Sequence, residues 1–173
     1  MKTNAKNKAM ISAEYKYTTN DAYSMNDIGI KLGIYATDDL VIGAHYFYLF
    51  DKSVIFIPNE DNLKAALLYD LYGLNVDYFI SNSYSLPVSV GLNLGFGQAT
   101  YTSFGNSPVT DDLTGDWLFN IEPEANLYFH LTNSILINFN IGYRFISGIE
   151  YGGIENSDLS GFVGGVGLTL TIQ

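Results

Sequence analysis

The chain contains no cysteine, so disulfide staples and thiolate metal sites are excluded and the compartment is left open. Charge is also scarce, at 15% of residues. Only 8 of the 173 residues are Lys or Arg against 18 Asp or Glu, a net charge of −10, so the basic surface that nucleic acid requires is missing. There are just two histidines, His45 and His130. Long apolar runs are absent too: nothing approaches the roughly 18 consecutive apolar residues of a membrane-spanning helix. If this chain crosses a bilayer it must do so as a closed β-barrel, because every backbone N–H and C=O inside hydrocarbon has to be paired.

What is present is glycine (17), tyrosine (14), phenylalanine (11) and a hydrophobic fraction of 47%, an aromatic- and glycine-rich β composition that argues against disorder. By length the chain is one domain. Residues 1–7 are expected to be a disordered segment and residues 8–173 a single barrel domain. Met1 to Lys8 (MKTNAKNK) is basic but no apolar stretch follows it, so no signal peptide is expected there.

The stretch from Trp117 to Ile146 sets the reading of the rest. Split at Thr132-Asn133-Ser134, both arms alternate with period two, the strand period. Trp117, Phe119, Ile121, Ala125, Leu127 and Phe129 oppose Asn120, Glu122, Glu124, Asn126 and His130. On the second arm Ile135, Ile137, Phe139 and Ile141 oppose Asn138, Asn140, Gly142 and Arg144. Segments of the same kind begin near Lys8, Asp27, Leu40, Leu67, Leu86 and Ser160, which makes eight strands in all. Connections alternate long and short, the pattern of an outer-membrane barrel with both termini on the short-turn side. Strands of roughly ten residues, tilted by about 45°, cross the apolar thickness of such a membrane. The fold expected is therefore an all-β, eight-stranded, antiparallel up-and-down transmembrane β-barrel.

A soluble lipocalin-like carrier shares the meander but turns its apolar face inward. Glycine decides between them. Gly29, Gly33, Gly91, Gly95, Gly97, Gly165 and Gly167 all fall on the polar face, which suits a crowded eight-strand lumen better than a solvated surface.

If the polar face lines the lumen, Glu14, Asp77, Glu122 and Glu124 share a narrow interior with Lys16, Lys31 and Arg144, with His45 midway along it. Centring the last short turn on Asn133 places Glu122 across from Arg144 and Asn126 across from Asn140. Centring the earlier one on Asp38 places Lys31 across from His45. Buried charges must be paired, so a plugged, salt-bridged interior is expected and not an open pore. His45 and His130 lie on different strands with no nucleophile motif beside them, so no catalytic residue, cofactor or metal site is expected. The long loops are expected to hold Asp21, Asp27, Asp51, Glu60, Asp61, Asp111, Asp112, Asp116, Glu150, Glu155 and Asp158, an acidic surface on which recognition would reside.

The hairpins IKLGIYATDDLVIGAHYFY (Ile30 to Tyr48) and IEPEANLYFHLTNSILINFNIGYRF (Ile121 to Phe145), with the closing segment SDLSGFVGGVGLTL (Ser157 to Leu170), resemble the small outer-membrane barrels of OmpA/OmpX type. The resemblance spans Lys8 to Gln173. It implies a monomer of the bacterial outer membrane, inserted by the barrel-assembly machinery, in contact with outer-membrane lipids and lipopolysaccharide, with a structural or surface-interaction role. The rival readings are a lipid-modifying barrel enzyme, which would draw on His45 or His130, and the soluble ligand carrier.

Overall fold

The computed structural model describes residues 8–19, 24–49, 53–56, 64–81, 86–104, 113–149 and 155–172. Period-two alternation becomes strand throughout: β1 (Ala9–Thr19), β2 (Ser24–Tyr35), β3 (Leu40–Leu49), β4 (Ser53–Phe56), β5 (Lys64–Ser81), β6 (Val88–Phe104), β7 (Leu113–His130), β8 (Ile135–Ser147) and β9 (Gly161–Ile172), with one helical turn, α1 (Asn156–Leu159). All pairings are antiparallel, and β3 pairs with β5 while β9 pairs with β1, so eight strands close on themselves. β4 pairs with residues 64–67 of β5, at the long-connection end of that strand.

Several strands run further than the sequence pattern predicts. β2 starts at Ser24, three residues before Asp27, and β5 starts at Lys64. Membrane-crossing alternation marks only the apolar span, whereas the ladder continues past it. β1 accordingly runs to Thr19 and β2 from Ser24, and the last long connection carries α1, which the sequence pattern does not signal. Residues 1–7 lie outside the described residues.

Two short turns set the hairpin registers by the same device. In the first, the Thr37 hydroxyl accepts from the backbone N–H groups of Asp39 and Leu40 at 3.3 and 3.1 Å; in the second, Thr132 accepts from Ser134 and Ile135 at 3.2 and 3.0 Å. A threonine side chain standing in for a backbone acceptor tightens the chain reversal. The registers that follow pair Lys31 with His45 and Asn126 with Asn140.

Orientation is the decisive observation. Ile34, Leu74, Ile141 and Phe162 are 62–67% exposed, while Lys16, Asp27, Asn93, Glu122 and Arg144 are at most 2% exposed. In a soluble protein this would be inside out, since charged side chains are almost never fully buried and large apolar patches are covered. Ile28, Ile30, Leu92, Leu94, Phe139 and Leu168 extend the apolar face around the barrel. Such a belt is stable only against acyl chains. The soluble-carrier orientation is thereby excluded.

The lumen is layered. Toward the long connections, Met25, Phe47, Leu49, Tyr69, Leu71, Leu118, Ile146, Ile149 and Leu159 pack into an apolar cluster, the last two contributed by the β8–β9 connection. Toward the short turns, Met10, Val41, Phe79, Tyr128 and Leu136 form a second cluster, with Tyr35 against it. Polar and charged side chains fill the space between. Glycine makes this filling possible: a Cβ on Gly73 would come within 2.6 Å of the Gly95 Cα on β6. Gly148, at φ +99°, is where β8 turns away into the last connection, a conformation that other residues adopt only with strain.

Candidate functional site

The polar middle layer is built from inward positions of five strands. β1 contributes Glu14 and Lys16, β2 Asp27 and Lys31, β5 Tyr69 and Asp77, β7 Glu122 and Glu124, and β8 Arg144. Because the residues share one face of each strand, closing the sheet brings them together across the axis, including pairs on strands that are not neighbours in the ladder.

The contacts form a line of alternating charge. Arg144 donates from Nη1 to Asp27 Oδ2 at 2.5 Å and from Nε to Glu122 Oε2 at 2.6 Å. Glu122 also accepts from Lys16, whose Nζ lies 2.8 Å from Glu124 Oε2. Glu124 accepts in turn from Lys31, and Lys31 Nζ is 3.5 Å from Glu14 Oε2. Lys16 is 3.8 Å from the same Glu14 oxygen, which ties the end of the line back to its middle.

Neutral donors complete the cage. Asn93 donates to Glu124 at 2.9 Å, and Asn126 Nδ2 lies 3.2 Å from the other Glu124 oxygen. Tyr69 donates to Asp27 Oδ1 at 2.9 Å while accepting from Arg144 at 2.7 Å. The Lys16 ammonium also sits 4.7 Å from the centre of the Phe47 ring, a cation–π contact. Charges this deeply desolvated persist only with such saturation.

Three residues fall differently from the expectation. Asp27 is not a loop acid: it lies in β2, fully buried, as the partner of Arg144. Its phase with Gly29 and Lys31 would have shown this. Asp77 is in the lumen but is held by the amides of Asn75 and Asn126, at 3.0 and 3.3 Å, and has no ion-pair contact with Lys16, Lys31 or Arg144. His45 is buried beside Phe47, ring centroids 5.7 Å apart, and makes no ion pair among the described residues. Tyr69, absent from the expected set, was legible by the same phase argument, since it continues the inward series Asp77, Asn75, Gly73, Leu71.

His45 pairs in register with Gly73, Gly73 with Gly95, and Gly95 with Asn120, ten residues along β7 from His130. His45 lies against Phe47 whereas His130 lines the short-turn end beside Tyr128 and Leu136, so the two histidines do not converge. Of the acids assigned to the loops, Asp21, Asp51, Glu60, Asp61, Asp111, Asp112 and Glu150 lie outside the described residues. Asp116 is half-buried in β7, and Glu155 and Asp158 close a reciprocal cap on α1.

No known family profile matches the sequence, and no curated protein matches it. Solved structures do. The N-terminal β-barrel domain of Pseudomonas aeruginosa OprF superimposes with a TM-score of 0.64 at 18% identity, over 96% of this chain and 98% of that one. The P. aeruginosa outer membrane protein OprG gives 0.64 at 13% identity, over 96% of each chain. Neisserial surface protein A gives 0.59 at 12% identity, over 95% of each. With the closed antiparallel sheet and its outward apolar belt, these likenesses define the fold: the chain folds as an eight-stranded antiparallel β-barrel like those of small outer-membrane proteins.

Proposed function

We propose that the protein is a non-conducting barrel of the bacterial outer membrane that displays its acidic long connections as an interaction surface. In this reading the lumen is a structural core, neither a pore nor an active site. The observation that carries it is the unbroken ionic line from Asp27 through Arg144, Glu122, Lys16, Glu124 and Lys31 to Glu14, bracketed by an apolar cluster at each end. An ion entering from either side meets first an apolar layer and then charged groups already engaged by one another or, for Asp77, by amides. Eight strands leave room for side chains and little else.

The acidic connections belong to the reading because rigid scaffolds carry recognition on their loops. The barrel-assembly machinery would insert the chain, which then sits as a monomer among outer-membrane lipids and lipopolysaccharide. It needs no cofactor, and catalysis by His45 or His130 has no geometric support. The test is a planar-bilayer recording of the refolded protein, expected to stay at baseline over a wide voltage range. Reproducible conductance steps from the wild-type chain would refute it.

A further inference from the structure

At the short-turn end the apolar cluster encloses a cavity of about 190 Å³, walled by Met10, Tyr35, Phe79, Tyr128, His130 and Leu136. Pro87, Thr169 and Thr171, near the short-turn ends of β6 and β9, complete its lining. The walls are aromatic. Tyr35 and Phe79 stack with ring centroids 6.1 Å apart, and Phe79 meets Tyr128 at 5.5 Å and 32°. The volume is below the roughly 300–1,000 Å³ of pockets for drug-sized ligands, so the occupant is one small group.

A buried carboxyl lies behind this wall. Asp77 is the next inward residue after Phe79 on β5, about 7 Å deeper by strand rise, and is 2% exposed. Its partners are the neutral amides of Asn75 and Asn126. The buried lumen holds five carboxylates, Glu14, Asp27, Asp77, Glu122 and Glu124, against three bases, Lys16, Lys31 and Arg144. Every one of those bases is engaged by carboxylates other than Asp77. The buried carboxyl that makes no ion pair is therefore the one nearest the aromatic cavity.

Aromatic rings backed by a carboxyl that no base pairs favour a cation, and the aromatic walls favour one with hydrocarbon around its charge. A bare metal ion would lack ligands here, since among the described residues no group of three His, Asp or Glu side chains is placed to hold one. An anion would meet repulsion. We infer that the cavity binds a small organic cation of the alkylammonium class, seated against Tyr35, Phe79 and Tyr128 with Asp77 behind them. Such a group has two sources. It can be a free amine, or a lysine of this chain's own leading segment: Lys2 and Lys6 precede Lys8, whose carbonyl accepts from the Tyr35 N–H at 3.0 Å on the cavity's rim.

The test uses the full chain refolded in nanodiscs with ¹³C-methyl methionine. The chain has 3 methionines, Met10 in the cavity wall and Met25 in the opposite apolar cluster serving as probe and control. The ligands are choline and its uncharged isostere 3,3-dimethylbutan-1-ol. Choline is expected to move the Met10 methyl saturably, leave Met25 in place, and bind about three- to thirtyfold more tightly than the alcohol. Tyr128→Leu and Asp77→Asn should each reduce that preference.

The source is read from a Lys2→Gln/Lys6→Gln variant. If the wild type is silent to choline and this variant responds with the same preference, a lysine of the leading segment is the occupant. Silence in both, or equal binding of choline and the alcohol, overturns the inference even if the two single variants do not fold.

Discussion

Replacing Arg144 by Met isolates the energetic role of the ionic line. Arg144 is 1% exposed and makes three charged or polar contacts at 2.5–2.7 Å, to Asp27, Glu122 and Tyr69. Methionine keeps much of the volume and adapts its shape, so the cavity contribution is small. Glu122 retains Lys16 as a counter-ion. Asp27 does not: it keeps only the Tyr69 hydroxyl at 2.9 Å and becomes a fully buried carboxylate without a base. Removing one member of a buried pair costs about 3–5 kcal/mol, most of it the stranded charge.

Trp117 is the sole tryptophan and is 64% exposed on the lipid side, so its fluorescence reports the passage of β7 from bilayer to water. In urea titrations from vesicles, an m-value of about 2 kcal/mol/M turns that cost into a midpoint lowered by roughly 2 M. Adding Asp27→Asn removes the stranded charge, and the double variant should regain about 1–3 kcal/mol over Arg144→Met. A single-variant loss below about 1 kcal/mol, or a double variant less stable than the single, would refute the claim that ion pairing organises this lumen.

Three further outcomes follow from the layers around that line. Leu92→Arg places a charge on the acyl-facing wall and should cost about 2–4 kcal/mol in the same titration, whereas a soluble-style surface would tolerate it. Gly73→Ala drives a methyl into the backbone of Leu94 and Gly95 and should destabilise by about 1–3 kcal/mol, while Gly164→Ala, with nothing within 4 Å, should stay within about 0.5 kcal/mol; comparable losses at both would deny the crowding of the lumen. Leu159→Ala, in the long-connection cluster, should cost about 2–4 kcal/mol yet leave bilayer recordings at baseline, because the ionic layer beneath is untouched; channel openings from this variant alone would show the apolar layer to be the real barrier.

Much of the barrel is legible in the residues because period two carries both element and face. Ile28, Ile30, Leu32 and Ile34 alternate with Gly29, Lys31 and Gly33, and the structure exposes the first set to the outside and leaves the second inside. Registers are legible where a short turn fixes them, as at Thr37 and Thr132. Contacts across the axis are not. Lys16 on β1 meets Glu122 on β7, and Arg144 on β8 meets Asp27 on β2, and neither pair is joined by a ladder. Which inward residues reach one another depends on how the closed sheet is sheared, and turns do not encode that. Asp27 and Tyr69 escaped for a simpler reason: they lie beyond the apolar span, where outward neighbours such as Asn26 and Asp70 stop being hydrophobic.

The same cross-axis geometry gives the ionic line a second consequence. Backbone ladders join only neighbouring strands, and a slip of two residues leaves every apolar side chain still facing lipid, so alternation does not oppose it. Such a slip moves an inward side chain about 7 Å along the axis. For β7 it would carry Glu122 and Glu124 away from Lys16, Lys31 and Arg144 together, stranding several buried charges in one step. The penalty for the near-miss register is then several times that of any single broken pair, while the native register has every base engaged. Charges that contribute little net stability over an apolar core can thus still select one closure among those the belt allows. That selection requires the bases to be satisfied and leaves the acids free to exceed them, and the carboxyl left without an ion pair is Asp77, below the aromatic cavity, held by the amides of Asn75 and Asn126.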